Sequence, residues 1–370
     1  MPQADSRACL IALSHIKGIG PVRLRLLKSH FSDLAEAWNA HPSELLAAGL
    51  DQKSIFAIVE ARKATQPVDE LERFAAMSID VLTWDDAAYP SLLRQITDPP
   101  PVLYIKGRLT DADAWAVSLV GTRRASIYGR EVAEMLAGEL ARNHITIVSG
   151  MARGIDAYAH QAAIKAGGRT LAVLGCGVDI VYPPEHRKLA QDIIEHGAIV
   201  SDYPPGTEPE AMNFPPRNRI ISGLSMGVVV VEADERSGAL ITSDFALEQG
   251  REVFAVPGNI LNHSSRGTNK LIQQGAKLVM NTASILEELN LSMVSSFIEA
   301  QAVAPENDLE RSLMAQLSHE PVQTDDLVNR VNLPTEVVTG TLALMELKGM
   351  VRQASGTSYV LAREERPPYV

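Results

Sequence analysis

Three short stretches of this chain place arginine at the end of a helix where a cation is least welcome, and a fourth fits the series. Gly121-Thr122-Arg123-Arg124-Ala125-Ser126 follows a β-rich run and leads into a helical one. Ser149-Gly150-Met151-Ala152-Arg153-Gly154-Ile155-Asp156 does the same. Asn213-Phe214-Pro215-Pro216-Arg217-Asn218-Arg219 opens a third helix, with proline suited to its first turn. A fourth turn, Ala233-Asp234-Glu235-Arg236-Ser237-Gly238-Ala239-Leu240, offers Ser237 as the N-cap. A helix N-terminus already carries about half a positive charge, so an exposed cation there costs roughly 0.3–1 kcal/mol. Repeated at several turns, that cost points to an anion as the expected occupant. Free backbone N–H groups, glycines that admit a ligand and planar guanidinium forks together make a phosphate cradle. The candidate phosphate-binding residues are Gly121, Thr122, Arg123, Arg124, Ser149, Gly150, Arg153, Gly154, Arg217, Asn218, Arg219, Ser237 and Gly238. Asp234 and Glu235 in the fourth turn leave room for base or ribose contacts, or anchor the neighbouring arginines.

Other chemistries lack their residues. No G-x-G-x-x-G follows the first strand, so the nicotinamide or flavin fingerprint is missing, and no G-x-x-x-x-G-K-[ST] is present for P-loop ATP hydrolysis. Asp156 and His160 share one helix face, but without a third ligand at suitable spacing they read as a structural hydrogen-bonding pair. Ser149 is not in a G-x-S-x-G elbow. The expectation is therefore no catalytic residue, no metal and no cofactor.

Turns of this kind need a scaffold of strands and helices. Candidate strands are Val102–Ile105, Ala116–Val120, Ile145–Val148, Leu171–Leu174, Ile199–Ser201, Val228–Glu232, Val253–Val256 and Leu278–Met280. Several are bare apolar runs without alternation, as parallel strands buried on both faces require. Helical segments of roughly 10–18 residues separate them, so the fold class is α/β with a Rossmann-like, doubly wound, mostly parallel sheet. Residues 1–85 read as a helical domain, 86–290 as the Rossmann-like core, 291–307 as a linker and 308–370 as a winged-helix domain of three helices and a β-hairpin.

The chain has 370 residues, ample for more than one core. No apolar run reaches the roughly 18–20 residues of a membrane helix, and Met1–Leu13 lacks the pattern of a signal peptide. Cys9 and Cys176 are the only cysteines, far apart in apolar surroundings, which fits a reducing cytoplasm. Net charge is −11, and no block is basic overall, so any binding of nucleic acid must rest on local stripes. One such stripe is His15–Phe31, with Lys17, Arg23, Arg25 and Lys28 and no acid.

Taken in order, Gly121-Thr-Arg123 with Tyr128-Gly129, Ser149-Gly-Met-Ala-Arg-Gly-Ile-Asp156, Leu174-Gly-Cys-Gly-Val-Asp179 with Tyr182-Pro183, Phe214-Pro-Pro-Arg-Asn-Arg-Ile-Ile221, Glu232 with Ser237-Gly-Ala-Leu240, and Gly250-Arg-Glu-Val-Phe-Ala-Val-Pro-Gly258 resemble the DNA-processing protein A (DprA/Smf) family. The resemblance spans about residues 85–290, and the flanks look similar to the longer members, with an N-terminal SAM-like or helix-hairpin-helix domain and a C-terminal winged helix. It implies a non-enzymatic homodimer that binds incoming single-stranded DNA during natural transformation, protects it and helps load the RecA recombinase. By position, Arg123, the Ser149, Gly150 and Gly154 loop, and Arg217, Asn218 and Arg219 would contact the DNA backbone. Some relatives carry a basic residue where this chain has Pro184 and Ala211, and His186, Arg187 and Lys188 stand nearby instead. Tyr128, Tyr203 and Phe214 are candidates to stack a base.

Both flanks carry their own expectations. Ile16-Lys17-Gly18-Ile19-Gly20-Pro21 reads either as a phosphate-binding hairpin or as a helix-packing turn. Residues 291–370 hold 6 Lys/Arg and 11 Asp/Glu, and the segment Pro334–Lys348 offers little to a DNA groove. The winged helix is therefore expected to contact protein or to regulate access to the DNA groove. The rival to the whole reading is a phosphoribohydrolase-like nucleotide enzyme of similar fold, whose P-G-G-x-G-T-x-x-E signature is absent at Glu232–Gly238.

Overall fold

The computed structural model describes residues 6–291 and 307–361, apart from 319, 320, 332, 348, 349, 356 and 357. The chain forms two compact units that divide between Ser292 and Met293. The stretch read as a linker, 291–307, lies outside the described residues except at its two ends.

In the larger unit, nine strands form one sheet: β1 (Asp80–Thr83), β2 (Val102–Gly107), β3 (Ala116–Val120), β4 (Thr146–Ser149), β5 (Thr170–Val173), β6 (Gly197–Ser201), β7 (Gly227–Val230), β8 (Glu252–Ala255) and β9 (Lys277–Leu278). Their order is β1-β2-β6-β5-β4-β3-β7-β8-β9. From β6 to β9 all neighbours are parallel. β2 pairs antiparallel with β6 and β1 antiparallel with β2, so β1 points the same way as β6. The expected strands are all present, shifted at their ends by up to two residues. Strand β1 was not expected, for it lies within the stretch read as helical.

The inner parallel strands are buried on both faces, as Val117, Leu119, Ile147, Val148, Val228, Val229 and Val230 show, while β9 at the sheet edge is exposed. Helices α8 (Ile127–Arg142), α9 (Ile155–Lys165), α10 (Arg187–His196), α11 (Phe214–Gly223), α12 (Ala239–Glu248), α13 (Arg266–Gln273) and α14 (Thr282–Glu288) pack around them. From β3 the chain winds outward through β4, β5 and β6, then returns to lay β7, β8 and β9 on the other side. The winding reverses between β3 and β7, and doubly wound sheets take their ligands at the carboxyl ends of the strands beside that point.

Six N-terminal helices precede the sheet: α1 (Ser6–Ser14), α2 (Pro21–His30), α3 (Leu34–Asn39), α4 (Pro42–Ala47), α5 (Gln52–Ala64) and α6 (Pro67–Ala76). A short helix, α7 (Ser91–Arg94), lies between β1 and β2. The six helices share a core with the sheet: Ile11, Leu24, Ile58 and Phe74 belong to one apolar cluster with Tyr104, Leu174 and Ile199. Phe74 meets Tyr104 edge-on, with ring centroids 5.5 Å apart. His15 bridges the Tyr104 hydroxyl and the Glu70 carboxylate.

The smaller unit packs helices Asp308–Gln316, Thr324–Val331 and Thr335–Leu347 on a sheet of Val322–Gln323, Ser358–Leu361 and Val351–Ser355, in that order. Leu313, Leu327, Val338, Leu342, Met345 and Tyr359 fill its core. Among the described residues no helix is long and apolar enough to cross a membrane, and both cysteines are buried thiols.

Candidate nucleic-acid interface

The carboxyl ends of β4, β3 and β7 and the start of α11 bring the expected loops to one edge of the sheet. Helix α8 is capped by Ser126, whose hydroxyl accepts from Gly129 N–H at 3.0 Å. By contrast, α9, α11 and α12 start at N-caps Gly154, Asn213 and Gly238 with no side-chain cap. Ile155 N–H of α9 donates instead to Thr122 O, the N–H groups of Ala239 and Leu240 of α12 donate to Ser237, and Pro215 and Pro216 of α11 carry no N–H. Ser237, expected as the N-cap of α12, sits one residue earlier, and its hydroxyl accepts from Ala239 N–H at 3.3 Å.

The loops after β3 and β4 are held in contact by Gly154. This residue has φ +78, and a Cβ there would lie 2.3 Å from the Thr122 carbonyl oxygen. Ile155 N–H donates to that same oxygen at 3.2 Å. Gly150 is pinched in the same way, its missing Cβ facing the Arg217 guanidinium at 2.7 Å and the Asp156 carboxylate at 2.9 Å.

The arginines fall into two sets. Arg123, Arg124 and Arg153 are exposed. Arg123 lies over the Phe214 ring at 5.6 Å, and Phe214 stacks on Tyr182 at 5.5 Å and 28°. A small cleft opens between them, lined among others by Arg123, Gly150, Arg153, Tyr182, Phe214 and Arg217. Arg153 forms an ion pair with Glu185, which raises the guanidinium pKa and lowers that of the carboxyl.

Arg217 and Arg219 are placed otherwise than the sequence reading expected. Arg217 is 5% exposed and turns inward, donating to the carbonyls of Gly150 and Val173. Burial lowers its pKa, while the nearby Asp156 carboxylate opposes that shift. Arg219 donates to Asp202 at 2.8 Å, with Asp98 at 3.8 Å. Asn218 reaches Gly238 O at 3.3 Å and so ties α11 to the turn before α12. Arg217 therefore lies under the cleft with Arg123 and Arg153 at its rim, while Arg219 is held by Asp202 and Asp98.

Asp156 and His160 do serve structure, though not by bonding each other. Asp156 accepts from Gly150 and Ala152 N–H at 3.1 and 3.3 Å, and its burial pushes its pKa up. His160 bonds Thr170 Oγ1 at 2.7 Å, and complete burial lowers its pKa to about 3, so the ring is neutral. Among the described residues, no group of three or more His, Cys, Asp or Glu could hold a metal ion. The buried hydroxyl of Ser149 donates to Leu119 O at 2.6 Å, away from the edge.

Sequence reasoning missed Tyr182 as the partner of Phe214, and Glu185 as the partner of Arg153. It named Glu232 as a motif residue but not its burial: at 3% exposure it is set apart from its exposed neighbours Asp234 and Glu235. In the N-terminal stripe, Arg23 is paired with Asp51, Lys28 with Asp85, and Arg25 lies over Trp84 at 5.7 Å. Three of the four cations there hold the fold together. Helix Thr335–Leu347 carries no Lys or Arg.

Residues 80–290 match the family model of the DNA recombination-mediator protein A, and residues 298–357 that of the DprA winged helix domain. The chain is 36% identical to Protein Smf of Synechocystis sp., covering 96% of this chain and 98% of that protein. It is 41% identical to the DNA processing protein DprA of Bacillus subtilis, covering 69% of this chain and 89% of that one. Its fold is similar to the X-ray structure of DNA processing protein A from Streptococcus pneumoniae, with TM-score 0.68 and 34% identity over 76% of this chain and 97% of that one. The Helicobacter pylori protein is similar with TM-score 0.52 and 31% identity over 57% of this chain and 95% of that one, and its structure is described as giving insight into a unique single-stranded DNA binding mode. With the core sequence, the winged helix and near full-length relatives all in agreement, the chain belongs to the DNA recombination-mediator protein A family.

Proposed function

We propose that this chain binds single-stranded DNA along the carboxyl edge of its sheet, chiefly through phosphates, and acts in DNA processing as a binder rather than an enzyme. The observation that carries this reading is the rim itself: exposed Arg123 and Arg153 line one cleft with Phe214 at the start of α11, next to exposed Arg124 and the α9 N-terminus, which has no side-chain cap. Exposed cations converge there on one cleft, with the Phe214–Tyr182 stack beside them. A base stacked on such a platform contributes about 1–3 kcal/mol without regard to sequence. Arg217 supports the site from beneath rather than by touching phosphate. The setting that the family suggests is natural transformation in the cytoplasm, with the protein acting as a homodimer that delivers RecA to the strand. The winged helix, acidic along its third helix, is assigned to protein contacts or to control of access to the groove.

Fluorescence anisotropy with a labelled poly-dT strand across a salt series tests the reading. For a single strand, log K falls with log salt by about 0.7 per phosphate neutralised. Arg123→Ala and Arg124→Ala should each weaken binding and flatten that slope by about one phosphate. Wild-type binding left unchanged in both variants would move the DNA elsewhere. No binding at any salt would favour the nucleotide enzyme instead.

The Arg153–Glu185 pair adds a second expectation. Both side chains are about half exposed, so a phosphate must compete with Glu185 for Arg153. Glu185→Gln should tighten binding at low salt by about two- to fivefold, and the gain should vanish at high salt, because exposed pairs are weak and screened. Equal affinity at low salt would show that the pair does not compete with DNA.

A further inference from the structure

The reversal of winding between β3 and β7 opens the crevice in which doubly wound folds seat a ligand. Here a side chain of the protein enters it. Glu232, two residues beyond β7, is 3% exposed. Its Oε2 accepts from Ser126 N–H at 2.9 Å, and its backbone carbonyl accepts from Thr122 N–H at 2.7 Å. Both donors belong to the loop on the opposite wall, and Arg123 and Arg124 lie between them. One residue of β7's loop thus grips both ends of the segment that displays the two exposed arginines.

The neighbouring helix is built to admit this carboxylate. Ser126 is the N-cap of α8 and Gly129 stands in its first turn, where a Cβ would lie 2.1 Å from Glu232 Oε2. Glycine inside a helix costs about 1 kcal/mol relative to alanine, so its presence on a buried face needs a reason. The carboxylate is that reason. A negative charge at a helix N-terminus is favourable, and a bound phosphate commonly supplies it in nucleotide-binding folds.

Resting on the single-strand reading above, we infer that Glu232 is the positioning residue of the phosphate loop: an internal carboxylate that occupies the α8 N-terminus and holds Thr122–Ser126 taut, so that Arg123 and Arg124 project outward to DNA. It acts through those arginines and does not touch the strand. Its acceptor oxygen, rather than its charge toward DNA, carries the role, because a bare negative charge beneath a phosphate site would oppose binding.

The test uses the full chain, a labelled poly-dT strand, a salt series, and thermal unfolding in parallel. Glu232→Ala removes the acceptor and should weaken binding about tenfold, with the salt slope lower by roughly 0.7–1.4, the share of one or two phosphates. Glu232→Gln keeps an oxygen facing Ser126 N–H and should bind within about threefold of wild type. Gly129→Ala displaces the carboxylate and should resemble Glu232→Ala. In Glu232→Ala the space is vacant, so adding Gly129→Ala should weaken binding no further, a coupling that independent losses of stability would not produce. Should Glu232→Ala fail to fold, Glu232→Asp, one methylene shorter, takes its place in the cycle. Wild-type affinity and slope in Glu232→Ala would overturn the inference, as would a Gln variant as weak as Ala or losses that multiply in the double variant. Wild-type protein that binds no poly-dT at low salt would overturn the single-strand reading itself, and the inference with it.

Discussion

Gly154→Ala is expected to abolish tight binding of single-stranded DNA and to destabilise the larger unit by about 2–4 kcal/mol, combining backbone strain with overpacking. Gly154 has φ +78 and ψ −129, a conformation that suits glycine and strains any residue with a Cβ. The added methyl would also meet Thr122 O at 2.3 Å and Arg123 O at 2.9 Å, both backbone atoms that cannot swing aside. The loops after β3 and β4 must then part, and the bond from Ile155 N–H to Thr122 O breaks. That separation moves the Arg123 and Arg153 anchors relative to each other. Losing two charge-assisted contacts at about 1.5 kcal/mol each corresponds to roughly 150-fold in affinity. Denaturant unfolding and anisotropy on the same preparation check the two parts. A variant that is destabilised yet binds normally would show that the two loops do not act as one site.

Arg217→Ala should produce the largest loss of stability in the set, about 3–5 kcal/mol, as expected when one partner of a buried charge pair is removed. The guanidinium is buried, holds the carbonyls of Gly150 and Val173, and lies beside the buried Asp156. Without it both carbonyls lose their donor and Asp156 loses the cation that opposes its upward pKa shift. The sign of the pH effect follows. A carboxyl whose pKa is higher folded than unfolded binds its proton more tightly in the folded state. Stability then falls as pH rises through the window between the ordinary aspartate range and the raised value. Arg217→Ala should therefore recover part of its deficit when the pH is lowered toward about 5, and Asp156→Asn in the same chain should recover it at neutral pH. Thermal unfolding at two pH values measures both effects. A neutral or stabilising Arg217→Ala would mean that the guanidinium serves DNA rather than the fold.

Much of the scaffold was legible because parallel strands buried on both faces leave unbroken apolar runs such as Val228–Val231, and because glycine marks the turns that follow. Strand β1 was not legible. Four residues beginning with Asp80, set among helices and paired antiparallel, carry neither a bare apolar run nor enough length to show a period of two. The rim of the site could be read from arginine at helix starts, a local pattern. The direction of each guanidinium could not. Arg217 and Arg219 share one turn of α11 with Asn218, and whether a side chain there faces the groove or the sheet depends on how the helix is rotated against β5 and β6. The partners Asp202 and Val173 are brought there by tertiary packing alone. The burial of Glu232 was hidden for the same reason: beside Asp234 and Glu235 the residue resembles one more surface acid. Its place in the motif with Ser237 was legible, and Gly129, a glycine in the first turn of α8, was the trace of the carboxylate's position.

The antiparallel insertion of β2 between β1 and β6 bears on how the chain is made. Tyr104 of β2, the floor beneath the N-terminal helices, is hydrogen-bonded to His15, 89 residues upstream, and aligned with Ser201 in the neighbouring strand. On a ribosome adding about 5–20 residues per second, α6 is complete roughly 6–25 seconds before β6. Phe74 meets Tyr104 once β2 is made, but Ile199 joins the shared apolar cluster only with β6. Such late, distant pairing makes for slow folding and keeps apolar surface open for longer on the nascent chain.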